Sequence, residues 1–243
     1  MNVNGTQLSL FDTRGGGDPF AVRVSPRARR LTARVHVGGH VEIVVPPGVK
    51  AHAVREFVQR FMPWIRRKVA AMQCHGLPVE PVPAAVEFAY TAERFTVAWT
   101  RSPRRGIEHT SVAGIAVSAS DERGARTQLQ SWLKRAARER LAPRLLELAN
   151  ELDCRVSRVS IRRQRTRWGS CSTRGTVSLN CSLLFLRADV VRYLFVHELA
   201  HTRHMNHSAN FWRLVEKLEP DYRRLDRDLL ASWRTVPGWV FKN

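Results

Sequence analysis

Apolar residues follow two kinds of spacing along this chain. In the first half they alternate. Leu31, Ala33, Val35 and Val37 take every second position, Gly38-Gly39 interrupts, and Val41, Ile43 and Val45 resume the pattern. Successive side chains of a strand point to opposite faces, so the alternation predicts a β-hairpin over residues 31–45, closed by Pro46-Pro47-Gly48. Val86–Tyr90, Arg94–Trp99 and Gly114–Ser118 read as further short strands, with a basic loop at Arg101–Arg105. One helical period interrupts this half at Val54, Phe57, Val58, Phe61, Ile65, Val69 and Met72. Pro63 has no amide proton and is expected to kink or divide that helix, and Trp64 to join the core. A Pro-rich connector follows at Gly76–Pro83.

From Glu122 to Asn150 the period is helical, through Leu129, Trp132, Leu133, Ala136, Leu141, Leu145 and Leu148, with Pro143 a break point near its end. Its outer face carries Arg123, Arg126, Lys134, Arg135, Arg138, Arg140 and Arg144, either a solvated face or a surface for nucleic acid. Val156–Trp168 and Gly175–Leu183 read as two strands of a hairpin turning at Ser172–Gly175. Three helices close the chain. One starts at Asp189, one from Ser208 as N-cap with Phe211, Leu214, Val215 and Leu218 on its stripe, and one spans Asp221–Trp233. The expected organisation is a flexible polar tail over residues 1–19, a β-rich part with one inserted helical segment over 20–120, and a catalytic part over 121–243.

Composition narrows the class. The 243 residues are 44% apolar, enough for a real core, and 40 Lys+Arg against 21 Asp+Glu leave a net charge of +19. Such an excess serves solubility or attracts polyanions. The four cysteines form no C-x-x-C pair, so reduced thiols are expected. No run reaches the ~18–20 apolar residues of a membrane span, and Met1–Phe11 lacks the basic and apolar regions of a signal peptide. The expectation is a cytoplasmic protein that makes no use of a membrane.

The candidate chemistry lies at His197-Glu198-Leu199-Ala200-His201. Residues i and i+4 of a helix share a face, so two imidazoles can meet one metal ion there. Glu198 sits about 100° round the helix and can stand beside the ion as general base toward a bound water. His207 is the preferred third ligand, which requires the chain to leave the helix and turn back. Asn206 could supply a left-handed residue for that turn. His204, Glu216 and Glu219 are rivals. One large zinc-protease clan shares the spacing, but it has Gly where this chain has His204 and a downstream Met-turn that is absent here. The expected cofactor is one Zn²⁺ per chain. In the strand before this helix, Arg163, Arg165 and Arg167 share parity with Val159 and Ile161. They either pair with carboxylates or line a cleft for an anionic substrate, and Arg165 and Arg167 are the candidate anion stabilisers.

These segments resemble the YgjP-like metallopeptidase-domain family, related to the SprT and WLM zinc proteases. Arg165-Thr166-Arg167-Trp168-Gly169-Ser170-Cys171-Ser172, then Gly175–Leu179 and Asn180, is similar to the family's R-x-R-W-G-S-C-S…G…L-N signature. Tyr193–His201 and Asn206–Trp212 look like its H-E-L-x-H…N-H-S-x-x-F-W segment. Arg27–Leu31 and Val45-Pro46-Pro47 also look familial, so the resemblance spans roughly residues 23–235. It implies a metal-dependent hydrolase with zinc on His197, His201 and His207. The resulting expectation is an α+β fold: a zincin-like metallohydrolase core of antiparallel or mixed sheet plus active-site helix, behind a β-rich N-terminal part. The expected activity is that of a metallopeptidase. The alternatives are a nucleoside triphosphate (UTP-type) pyrophosphatase, an activity attributed to the YgjP branch, or a nucleic-acid-associated zinc protein. The corresponding partners are a peptide or protein substrate, a nucleotide substrate, or nucleic acid held non-specifically by the basic surface.

Overall fold

The structure, a computed structural model, describes residues 20–36, 40–72 and 81–241. It is an α+β protein that divides into two compact units, Met1–Gly76 and Leu77–Asn243. In this partition the strands between residues 85 and 119 fall with the C-terminal helices, not with the N-terminal hairpin.

In the first unit, β1 (Phe20–Val24), β2 (Thr32–Val35) and β3 (Val41–Val45) form a sheet in the order β1-β3-β2. β2 and β3 pair antiparallel with Ala33 opposite Ile43, as the alternation predicts. The expected glycine turn lies outside the described residues. β1, which polarity did not reveal, joins parallel to β3. Helix α1 (Ala51–Met72) packs on β2 and β3 and buries Val54, Val58 and Ile65, spaced four and seven residues apart. Of the two outcomes expected at Pro63, division does not occur: the proline lies inside one helix from Ala51 to Met72. One expectation is corrected here. Trp64 is not core: it is 38% exposed, off the stripe set by Val54, Val58 and Ile65.

The second unit holds two sheets and four helices among its described residues. β4 (Ala85–Phe88), β5 (Glu93–Arg101), β6 (Gly106–Ser111) and β7 (Gly114–Ala119) run in the order β4-β5-β7-β6, with β5 and β7 parallel. β6 escaped the apolar pattern because it is a polar edge strand, largely exposed. Helix α2 (Glu122–Glu151) begins at Asp121, whose carboxylate accepts the Gly124 N–H at 2.6 Å. It runs through Pro143 without breaking and lays Leu129, Leu133, Leu141 and Leu145, all fully buried, against the sheets.

The second sheet has the order β8-β10-β9, from β8 (Arg158–Arg162), β9 (Gly169–Cys171) and β10 (Thr176–Asn180). The expected single strand over residues 156–168 is shorter and differently paired. β8 stops at Arg162 and runs parallel to β10, while the hairpin across Ser172–Gly175 belongs to β9 and β10. Gly175 takes φ +73° in that turn, a conformation that favours glycine. β10 gives way at Cys181 to a buried 3-10 turn through Phe185. Helices α3 (Ala188–Ala200), α4 (Ala209–Leu218) and α5 (Tyr222–Ala231) follow, α3 packing on both α4 and α5. Among the described residues no helix is long and apolar enough to cross a membrane.

Candidate metal centre

Helix α3 is almost wholly buried on its core-facing sides, with Val190, Val191, Leu194, Val196 and Leu199 at 3% exposure or less. That packing fixes its rotation and sets His197 and His201 one turn apart on the remaining face. The helix ends at His201 in a tight turn, where the amides of Thr202, Arg203 and His204 bond back to Leu199 and Ala200 at 2.9–3.1 Å. Arg203 ties this turn to the end of α2 by donating to the carbonyls of Leu152 and Asp153 at 2.8 and 3.0 Å. Ser208 then caps α4, accepting the Phe211 N–H at 3.4 Å. His207 stands just ahead of that cap. The reversal uses no left-handed residue at Asn206: the only non-glycine residues with positive φ among those described are Ala92 and Asp153.

The turn brings His207 back to α3. Its Nε2 lies 3.1 Å from Nε2 of His197, and one ligand nitrogen from each of His197, His201 and His207 falls within 4.8 Å of the others. A four-coordinate ion with metal–nitrogen bonds of about 2.0–2.1 Å holds its ligands about 3.3 Å apart, so the three rings fit such an ion with small rotations. His204 contributes its carbonyl instead of its ring, facing Nδ1 of His201 at 3.0 Å. Glu219 is engaged by Arg192, and Glu216 lies 3.9 Å from Arg223. Neither carboxylate joins the cluster.

Electrostatics favour lone pairs at this site. Burial, with His201 and His207 close by, pushes the pKa of His197 down to about 3. Burial and His201 also lower His207, with Asp226 opposing. Imidazoles kept neutral are the form that binds metal. Phe211 stacks on His201 with ring centroids 4.5 Å apart, and Trp212 flanks both His197 and His207. α4 thus gives the cluster an apolar wall.

The backs of two rings are also held. The Tyr193 hydroxyl donates to Asp226 at 2.9 Å and lies 3.5 Å from Nδ1 of His197. With its own proton committed to Asp226, it can only accept from that nitrogen, which leaves Nε2 of His197 free for metal. The His204 carbonyl does the same for His201. Neither link could be read from spacing, since Asp226 lies on α5 and a carbonyl has no sequence signature.

Glu198 is 4% exposed, and burial lifts its pKa to about 8 with Arg167 opposing. Its Oε2 is buried without a hydrogen-bond partner. A buried carboxylate oxygen without a protein partner, next in sequence to the first of three clustered imidazoles, fits residues that hold an ion and a water. Glycine at position 169 on β9 makes room for this carboxylate: a Cβ built there would stand 2.5 Å from Oε1 and 2.9 Å from Cδ and Cγ of Glu198. Asn180 holds the loop before β9, its amide nitrogen donating to the carbonyls of Gln164 and Arg167 at 2.8 and 2.9 Å. Trp168 stacks on Trp233 at 3.9 Å.

A YgjP-like metallopeptidase-domain profile matches residues 29–232 of this chain. The chain belongs to the YgjP-like metallopeptidase-domain family. The family is one of metallopeptidase domains, and the motif segments around Gly169, Asn180 and His207 lie inside the matched region. Among solved structures, the metallopeptidase zymogen abylysin of Pyrococcus abyssi is 30% identical over 40% of this chain and all of its own, with a TM-score of 0.35. No curated protein matches the chain significantly.

The candidate arginines of this YgjP-like domain part company. β8 ends before them, so the parity argument that grouped Arg163, Arg165 and Arg167 does not extend to the loop they occupy, and all three are exposed. Arg163 donates to the Val240 carbonyl at 2.8 Å and Arg165 to that of Phe241, securing the C-terminal segment. Arg167 is the one whose charge reaches Glu198.

Proposed function

We propose that this chain is a zinc peptidase with a zincin-like core, in which His197, His201 and His207 hold one Zn²⁺ and Glu198 is the general base. The observation that carries the proposal is the buried, unpartnered Oε2 of Glu198 beside the three imidazoles. Three neutral nitrogens suit zinc, which when bound supplies a Lewis acid and a water with pKa lowered to about 7. Glu198 would take a proton from a water held there and pass it to the leaving amine. Arg167 is better placed than Arg165 to steady developing negative charge, because Arg165 is engaged with the Phe241 carbonyl.

The peptide substrate is supported by β9. This strand is at the edge of its sheet and meets Glu198 through Gly169. An extended peptide added to such an edge would lie across the base. Phosphate chemistry usually uses Mg²⁺ on carboxylates, whereas the metal-competent cluster among the described residues is made of histidines alone.

The test compares zinc-loaded wild type with Glu198→Gln on unfolded casein and on UTP. Casein cleavage by wild type, falling about 10²–10⁴-fold in the variant with zinc retained, is the expected result. Pyrophosphate release from UTP without proteolysis would replace the peptidase proposal with the nucleotide one. Equal activity of the two proteins would place the chemistry elsewhere.

A further inference from the structure

A second feature of the unit containing the metal centre is a cleft of about 420 Å³ between α2 and β8. Lys134, Arg135 and Arg138 line one wall, and Arg158 and Arg162 the other. The helical residues lie within one turn of each other on one side of α2. The two strand residues share parity on β8 with Ser160 between them, so they project from one face. Ser131 and Ser160 add hydroxyls to the lining, and no carboxylate contributes.

Several arginines elsewhere on α2 and α5 are matched with acids: Arg126 with Glu122, Arg140 with Glu93, Arg144 with Glu147, and Arg224 with Asp221 and Asp228. The five cations of the cleft make no ion pair among the described residues, although Glu139 is only a turn from Arg135 and points to Arg140 instead. Five like charges around one concavity repel one another and concentrate positive potential there. An arrangement of that kind is relieved by an external polyanion. The cations extend over about 6 Å of helix and about 13 Å of strand, from rises of 1.5 and 3.3 Å per residue. That exceeds one phosphate group and matches about three to five successive phosphates of a nucleic-acid strand, spaced about 3.4 Å along the axis. The hydroxyls can donate to phosphate oxygens between the guanidinium groups.

We propose that the α2–β8 cleft binds the phosphodiester backbone of a nucleic acid, without sequence preference. It is not part of the metal centre. β8 and β9 occupy opposite edges of the sheet with β10 between them, and Glu198 meets the β9 edge. Nucleic acid held at β8 is a tether, and its binding is independent of zinc and of Glu198. The inference therefore stands or falls separately from the peptidase assignment.

The experiment measures binding of the full-length protein to a fluorescent duplex oligonucleotide by anisotropy, from 50 to 200 mM salt. If all five cations meet phosphates, log affinity falls against log salt with a slope of about −4.5, roughly a 500-fold loss over that range. The variant Arg135→Gln/Arg138→Gln/Arg158→Gln/Arg162→Gln should flatten the slope by about 3.6 and weaken binding at least tenfold at 50 mM. Arg104→Gln/Arg105→Gln, which removes charge from an exposed loop, should change little, and Glu198→Gln should bind like wild type. Circular dichroism melting of the fourfold variant shows that it is folded; if it is not, the α2 pair and the β8 pair tested separately each predict half the change in slope. Absence of wild-type binding, an equal loss per charge in the Arg104/Arg105 variant, an unchanged slope in the cleft variants, or displacement by ATP at the same molar concentration as by oligonucleotide would each overturn the proposal.

Discussion

Replacing Gly169 by alanine tests the proposed base without touching it. The added methyl would stand 2.5 Å from Oε1 of Glu198 and 2.9 Å from its Cδ and Cγ. Carbon contacts settle at about 3.5–4.0 Å, so three simultaneous overlaps require the carboxylate to retreat by about 1 Å. Rotating the tip alone cannot relieve them, because Cγ is included. Gly169 has no left-handed φ, so alanine brings no backbone penalty of its own, and overpacking costs about 1–3 kcal/mol of stability. A displacement of 1 Å in a catalytic group costs about 100-fold in rate, equivalent to about 2.7 kcal/mol of barrier. The assay is kcat on a cleaved protein or peptide substrate, alongside zinc affinity by chelator competition. Gly169→Ala should lose about 100-fold in kcat with zinc affinity unchanged, since the three atoms nearest the new methyl all belong to Glu198. Added to Glu198→Gln it should cost little more, because both act through one carboxylate. Wild-type kcat in Gly169→Ala, full additivity with Glu198→Gln, or a parallel loss of zinc would refute the reasoning.

Other consequences follow from the same geometry. In the zinc-free protein, the pKa of Glu198 is raised to about 8 from its ordinary 4.5, so its share of stability is present below 4.5 and lost as pH rises through 8. Zinc-free Glu198→Gln should therefore out-melt wild type at pH 9 by a few kcal/mol, a gap that closes toward pH 5; a gap independent of pH would contradict the burial argument. His197 has the opposite sign, being depressed to about 3 from 6.5, so its share is lost as pH falls below 6.5. Tyr193→Phe and Asp226→Asn should each weaken zinc binding about tenfold by releasing the His197 ring, read by chelator competition, and unchanged affinity would remove the positioning role. Arg140→Met should destabilise the second unit by about 1–2 kcal/mol in thermal melts, as the guanidinium contacts both oxygens of Glu93 at 2.5 and 2.7 Å and lies over Phe88 and Phe95.

Much of this protein was legible in spacing that stays within one element. His197 and His201 could be paired from sequence because a helix puts i and i+4 on one face. Ser208 could be read as a cap because capping is a local bond, and the buried stripe of α2 and the Val54, Val58 and Ile65 stripe of α1 followed from period, although Phe61 on the same spacing is exposed. Pro143 misled because packing along a long helix outweighs the local cost of one proline. Trp64 misled because a large apolar side chain next to a buried stripe need not be on it. What crosses between elements had no local signature. Strand alternation is the same whether β8 pairs parallel with β10 or turns into a hairpin, and only packing against α2 distinguished them. The division of labour between Arg165 and Arg167, the Asp226–Tyr193–His197 link and the space at Gly169 for Glu198 all depend on contacts between residues distant in the chain. The charge excess was plain in composition, but its concentration in one unpaired cleft arose only when α2 was laid beside β8. Local periodicity records which face of an element is apolar, and tertiary packing decides which polar groups those faces bring together.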